Sequence, residues 1–397
     1  MNCLPRIIAP RKGEIMVGFD RRDFIAGSGA LLMASGLQAR PVQLAKRHPL
    51  TQKFAGIAGI SLAGKAAPGI TIALAERGTI IYSAAAGSAN LETNAPVSVD
   101  SVFRIGSLSK QFTAAAALKL AEQGRLDLDA PVERILPAFR DKPMFSLREA
   151  MHHSAGLHSD EEGNGLPTNG PPITQLRLAD AIASQIKLLD FDPGTAWLYS
   201  NANYIVLGAA IEVATRQPFD AAMRDLLFRP LGLSATAVDR DEQIVPRRVS
   251  GYSALDGEPP HWANAIFPDI FQAGGAGAIR STAGDLVRWH QAVLGSEYFA
   301  ATTREAILAP GRLRDGRLVG DNRFSPEDAH YGDVQYAGGL LVPPPGKPRT
   351  IMHYGFIGGF SALLETHLDS DRTLVVLLNA DPGPNLPFRD LRRAAFD

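Results

Sequence analysis

Ser107-Leu108-Ser109-Lys110 puts a hydroxyl and an amine three residues apart at the head of an alanine-rich run, where positions i and i+3 of a helix share a face. The two groups can touch, and a serine needs such a neighbour, because its hydroxyl is a poor nucleophile until a base lies within hydrogen-bond reach. Amides at a helix start also favour negative charge beside Ser107, which suits an alkoxide or a tetrahedral oxyanion. An ordinary lysine, with pKa ~10.4, is neutral in only about one molecule in 2,500 at pH 7. A basic Lys110 therefore requires a dry pocket or a neighbouring charge to bring its pKa near neutrality, at a cost of ~4 kcal/mol. Ser184-Gln185-Ile186-Lys187 has the same spacing but lies inside the amphipathic stretch from Leu178 to Leu189, where solvent-facing polar residues are expected. Downstream, Tyr199 and Asn201 stand two apart and point the same way from an extended segment. Near the end, His353-Tyr354-Gly355-Phe356 leaves a strand-like run, and Gly355 would let an acyl group approach the backbone closely.

These groups are far apart in sequence, so a fold must gather them. Ile70 to Ala75 and Thr79 to Ala84 read as a hairpin around Glu76-Arg77-Gly78, and Ala362 to Leu368 with Leu374 to Leu378 read as a second around Asp369-Ser370-Asp371. Between them the pattern is helical. One helix runs from Ser107 to Gln123, with Gly124 as its carboxyl-end cap, and another begins at Thr282, three residues before Asp285, with Leu286, Trp289, His290 and Val293 on one face. β-rich ends around an α-rich centre predict an α+β fold: a mostly antiparallel sheet built from both chain ends, flanked by helices, with an inserted helical subdomain.

The order Ser-x-x-Lys, Tyr-x-Asn and His-x-Gly resembles the serine β-lactamase and penicillin-binding-protein family, specifically its class C-like branch. The resemblance covers roughly residues 66 to 380 and includes His153-Ser154-Ala155-Gly156-Leu157 and the stretch Ala273 to Asp285. It implies a serine hydrolase with a cleft between sheet and helical subdomain, working without a cofactor or metal on a β-lactam or a related amide or peptide, with peptidoglycan as a candidate partner. Ser107 would form the acyl-enzyme, Lys110 and Tyr199 would share the proton, and either could be the base. Asn201 would hold Lys110 and a substrate amide. The backbone N–H groups of Ser107 and Phe356 would form the oxyanion hole, and His353 would face the leaving side or a substrate carboxylate. Where many penicillin-recognising relatives have Lys-Thr-Gly, this chain has His353-Tyr354-Gly355, so a permanent cation is replaced by a mostly neutral imidazole. That departure raises a carboxylesterase as the alternative on the same fold. A non-catalytic cell-wall-binding protein is the alternative of another class.

Composition narrows the field further. The 397 residues carry 40 Lys and Arg against 41 Asp and Glu, so no electrostatic footprint for nucleic acid is present. The single cysteine, Cys3, argues no disulfide framework and no thiol nucleophile. Arg21-Arg22 before the apolar, glycine-spotted run Phe24 to Leu37 resembles a twin-arginine export signal, too short for the ~20 residues of a spanning helix. The expected organisation is a signal and upstream extension over 1–39, a linker over 40–65, and a catalytic domain over 66–397. Within it, 66–100 and 280–397 form the α/β part and 101–279 the helical part. The protein would be periplasmic or secreted, without stable membrane insertion. Three other patterns are set aside. Gly59-Ile60-Ser61-Leu62-Ala63 lacks the second glycine of a nucleophile elbow. The acids and histidines between Glu149 and Glu162 lack a recognised ligand spacing. Gly274 to Ala278 has no βαβ unit around it and reads as a close-packed turn beside the cleft.

Overall fold

Gly69–Glu76 (β1) reads GITIALAE and is buried along almost its whole length, as a strand covered on both faces must be. It is the centre of an eight-stranded sheet in the computed structural model, which describes residues 54–59, 66–158, 173–255, 261–266, 269–326, 332–383 and 386–397. On one side β1 pairs with Thr79–Asn90 (β2), and beyond β2 lies the short strand Ala95–Pro96. On the other side follow Arg372–Leu378 (β5), Phe360–His367 (β4), Thr350–Ile357 (β3) and the short strands Leu341–Val342 and Gln335–Tyr336. Every pairing is antiparallel. Both expected hairpins are present, and the register Ile70 opposite Leu378 joins the two chain ends through the middle of the sheet. Asn379 fastens that junction: its Oδ1 accepts from Gly69 N at 2.6 Å, while its Nδ2 donates to the carbonyls of Ser88 and Ser250 at 3.0 Å.

The two faces of the sheet carry different helices. Glu365 and Thr366 are consecutive on β4 and so point to opposite faces. Thr366 Oγ1 lies 2.7 Å from His290 Nδ1 on Ala283–Gly295 (α3), whereas Glu365 is held by Arg392 on Phe388–Phe396 (α4) at 2.5 and 3.0 Å. Thr282 caps α3 by accepting from Asp285 N at 3.2 Å, as the spacing predicted. His290 is packed, with Nε2 3.1 Å from Gln111 Oε1. Beneath α3 runs Ser109–Glu122 (α1), buried from Ser109 to Leu120 because its alanines let neighbours approach from all sides. Phe112 stacks on Trp289 of α3 at 4.2 Å between ring centres.

The helix expected from Ser107 starts two residues later. Gly106 has φ +49°, outside the helical region, so Gly106–Leu108 forms a tight 3₁₀ turn that feeds α1. At the far end Gly124, at φ +66°, closes the helix with Arg125 N donating to Leu120 O at 2.9 Å. Part of the expected linker is structured: residues 54–59 are helical, and Phe54, fully buried, meets Tyr82 edge-on at 5.2 Å. The expected export signal over 1–39 lies outside the described residues. Among the described residues no helix is long and apolar enough to cross a membrane.

The nominally helical part contains a three-stranded sheet in which Ile279–Ser281 lies between Phe103–Arg104 and Ala237–Val238. One carboxylate registers it. Asp239, fully buried, accepts from Arg104 Nε at 2.9 Å, Arg248 Nη2 at 2.5 Å and Arg280 Nη1 at 2.8 Å. Arg104 stands three residues before Ser107, so this cluster anchors the strand that leads into the Ser107 turn. Asp239→Asn should lower the unfolding free energy by roughly 3 kcal/mol in denaturant melts, since three cations lose their shared anion. A loss below about 1 kcal/mol would mean the cluster is worth no more than a surface pair.

Candidate active site

The Ser107 turn is wedged between two elements. Ile105 N donates to Ile279 O at 3.0 Å, and Ser109 Oγ accepts from Ile279 N at 3.0 Å, so both sides of Ser107 are tied to the small sheet. On the other side the turn lies against β3: a Cβ on Gly106 would come within 2.7 Å of Phe356 N. Only glycine allows that approach at φ +49°. Gly355 is needed for the same seam. A Cβ there would stand 2.0 Å from Ile105 O, so the space expected to admit an acyl group is occupied by the chain's own backbone.

Lys110 is fully buried, and each direction from its Nζ is filled. The ammonium donates to Ser107 Oγ at 3.0 Å, to Asn201 Oδ1 at 2.8 Å and to Ala276 O at 3.0 Å, and it lies 4.7 Å from the Tyr199 ring centre. Two of these partners, an amide oxygen and a carbonyl, can only accept. In the neutral amine the two N–H bonds stay with Asn201 and Ala276, and the lone pair is left facing the Ser107 hydroxyl. Burial pushes the Lys110 pKa well below the ordinary lysine range, toward that neutral form.

The Tyr199 and Asn201 pair is placed by Asn201–Thr215 (α2), whose first residue is Asn201. Beneath it sits His153, at φ +59°. Its Nδ1 accepts from Ser200 N at 3.2 Å and Asn203 Nδ2 at 3.1 Å, and its ring lies 4.5 Å from those of Tyr199 and Tyr336. Burial, with the Lys110 charge nearby, holds His153 well below its usual pKa. It is a neutral shelf for the tyrosine. In the acid and histidine cluster, where residues are described, Glu149 closes a capping box with Ser146, and His158 Nδ1 is 2.9 Å from Asp190 Oδ1. Residues 160–162 lie outside the described residues. Ser184, the rival serine, donates to Asp180 O at 2.8 Å, and Lys187 pairs with Asp190 at 2.6 Å.

A hollow of about 430 Å³ opens over Ser107 and is lined by Tyr199, His353, Tyr354, Phe356 and Arg392 among others. His353 does not offer it a free nitrogen. Its Nδ1 lies 2.5 Å from Tyr354 O, which can only accept, so Nδ1 carries the proton and Nε2 accepts from Tyr336 OH at 3.2 Å. Burial and the Lys110 charge lower the His353 pKa to about 3, so the ring is neutral through the physiological range. The expected contact with a substrate carboxylate therefore finds both nitrogens taken. Arg392 faces the same hollow, yet it is forked onto Glu365, a carboxylate 1% exposed. Sequence reasoning gave no site role to Ala276 O, His153, Tyr336 or Arg392, although His153 and Ala276 lie in the stretches 153–157 and 273–285 that carried the family resemblance.

The Beta-lactamase family model matches residues 54–396. Penicillin-binding protein 4* of Bacillus subtilis (strain 168) is 26% identical over 328 residues, covering 78% of this chain and 68% of that protein. Esterase EstB of Burkholderia gladioli is 32% identical over 316 residues, covering 68% of this chain and 79% of that protein. Among solved structures, a D-stereospecific amidohydrolase from Streptomyces sp. superposes with a TM-score of 0.69 at 26% identity, covering 86% of this chain and 98% of that one.

Lys110→Met is expected to reduce turnover by about 10² to 10⁴, the usual contribution of a positioned base. If the unprotonated amine of Lys110 is the base, wild-type kcat/KM should rise with pH on an inflection well below lysine's ordinary ~10.4. An inflection at the ordinary value would show Lys110 to be only a structural cation.

Proposed function

Because the chain belongs to the Beta-lactamase family of serine hydrolases, we propose that Ser107 is its nucleophile and that an ester or amide carbonyl is its target. Ser107 Oγ attacks the carbonyl carbon while its proton passes to the Lys110 amine 3.0 Å away. The tetrahedral oxyanion sits between the backbone N–H groups of Ser107 and Phe356, whose chains the Gly106 seam brings together. Collapse expels the leaving alkoxide or amine, which takes a proton from Lys110 or from Tyr199 on the same wall. Water then attacks the acyl-Ser107 ester, giving its proton back to the pair, and the carboxylic acid departs as the serine is restored. Asn201 keeps Lys110 in place and offers its side-chain amide to the substrate. The observation that carries this reading is the hold of Asn201 Oδ1 and Ala276 O on Lys110, which leaves one direction for a proton, toward Ser107.

Two families of substrate use this machinery, a β-lactam or related peptide amide and a small carboxylic ester. The pocket's charge favours the ester or another uncharged acyl compound. His353 is neutral with both nitrogens engaged, and Arg392 is already neutralised by Glu365, so a substrate carboxylate would have to compete with a buried one. A β-lactam or a D-Ala-D-Ala peptide from the cell wall brings such a carboxylate, whereas a simple ester does not. Relatives of both kinds, a penicillin-binding protein and an esterase, fit the same chain.

Ser107→Ala should abolish hydrolysis without unfolding the protein, and a fluorophosphonate should label Ser107 in the wild type. Loss of one oxyanion donor alone costs ~10² to 10³, so more than a tenth of wild-type turnover in the variant contradicts the assignment. In a parallel screen a short-chain aryl ester should outrun nitrocefin and a D-Ala-D-Ala peptide by at least about tenfold in kcat/KM. No adduct with either a fluorophosphonate or a fluorescent penicillin would favour the binding module instead. The reading includes export through Arg21-Arg22; replacing both by lysine should trap the protein in the cytoplasmic fraction, and unchanged fractionation would refute it.

A further inference from the structure

A second hollow, of about 590 Å³, lies between the segment 129–152 and the segment 306–314 and shares no lining residue with the pocket over Ser107. Its size falls in the range of small-molecule sites. The lining divides into an apolar part, including Met144, Phe145, Ala309 and Pro310, and a charged part built on three arginines and two acids. The charges do not cancel. Arg148 forks onto Asp129 at 2.6 and 2.9 Å, and Arg314 onto Glu149 at 2.7 and 3.2 Å. Arg312 instead donates to the Gly316 carbonyl at 2.7 Å, and among the described residues no carboxylate lies within ion-pair distance of it. One positive charge is left over at an apolar hollow.

His152 forms a fixed wall of the hollow: it is more than nine-tenths buried, and Gly311 packs directly on it, so that a Cβ at Gly311 would stand 2.4 Å from His152 Cγ. The walls are also the backs of elements that build the active site. Gly311 N donates to Tyr336 O at 2.9 Å, and Arg314 N donates to Gly194 O at 2.9 Å in the segment leading to Tyr199.

We propose that this hollow is a binding site for a small monoanion with an apolar body, an aliphatic carboxylate, whose charge meets Arg312 and whose tail lies on Met144, Ala309 and Pro310. The site stands independently of the acyl-transfer reading. It can be tested on the full chain carrying Ser107→Ala, so that no turnover contributes, with octanoate as the probe. Calorimetric titration should show one saturable site with Kd of about 0.1 to 1 mM, and octanoate should raise the melting temperature. Arg312→Glu should weaken binding by at least about tenfold. Ala309→Trp, which puts an indole into the hollow, should abolish it. Arg312 is exposed, so in the Ser107 background Arg312→Glu should keep hydrolysis within about twofold of wild type. Absence of saturable binding up to about 10 mM overturns the proposal. So does undiminished binding in either variant, or equal binding of octyltrimethylammonium, which has the opposite charge.

Discussion

A buried amine with nowhere to put its charge is the constraint on which this structure turns. Lys110 sits in the first turn of α1 and is completely enclosed. Its partners come from three separate stretches of chain: the turn before its own helix, the head of α2, and the glycine-rich segment at 274–277. Desolvation disfavours the ammonium, and two obligate acceptors fix the orientation of the amine that remains. The cost is borne by the surrounding packing, by the alanine-rich helix and the close glycine contacts that keep water out. Remove the enclosure and the lysine becomes an ordinary cation; remove the acceptors and the lone pair loses its aim.

The rest of the cleft is electrically quiet by the same logic. His153 and His353 both lie within reach of the Lys110 charge and are both buried, and both are held neutral. Arg392 and Glu365 enter as a pair. The cleft thus presents neutral walls around one perturbed amine. That is the structural counterpart of the His353-Tyr354-Gly355 departure in the sequence.

Local chemistry was legible in the sequence where it depends on spacing along the chain. Ser107 and Lys110 meet because they stand at i and i+3 across the 3₁₀ turn and the start of α1, and Asn201 was selected by its distance from Tyr199. Both β-hairpins followed from alternation and turn residues. What could not be read were contacts made by backbone atoms or across long separations. The Ala276 carbonyl has no side-chain signature, Tyr336 is one tyrosine among several, and Arg392 reaches the pocket only because α4 folds back over β3 and β4. Gly355 was selected for the right reason, close approach, but the approaching atom is Ile105 O rather than a ligand. A sharp entry at Phe103 to Gly106 was legible from the glycine before the helical run, whereas the two-residue delay in the helix start was not.

The strand order carries a consequence for the life of the molecule. β1 is made well before its partner on one side, β5, which lies some three hundred positions later. A nascent chain leaving the ribosome therefore holds β1 and β2 with an inner edge that stays unsatisfied until β5 has emerged. Closure of that gap is a search across a very long loop, which slows formation of the native topology and leaves a sticky strand exposed meanwhile. Synthesis, not only sequence, thus sets when the amine can be sealed away from water.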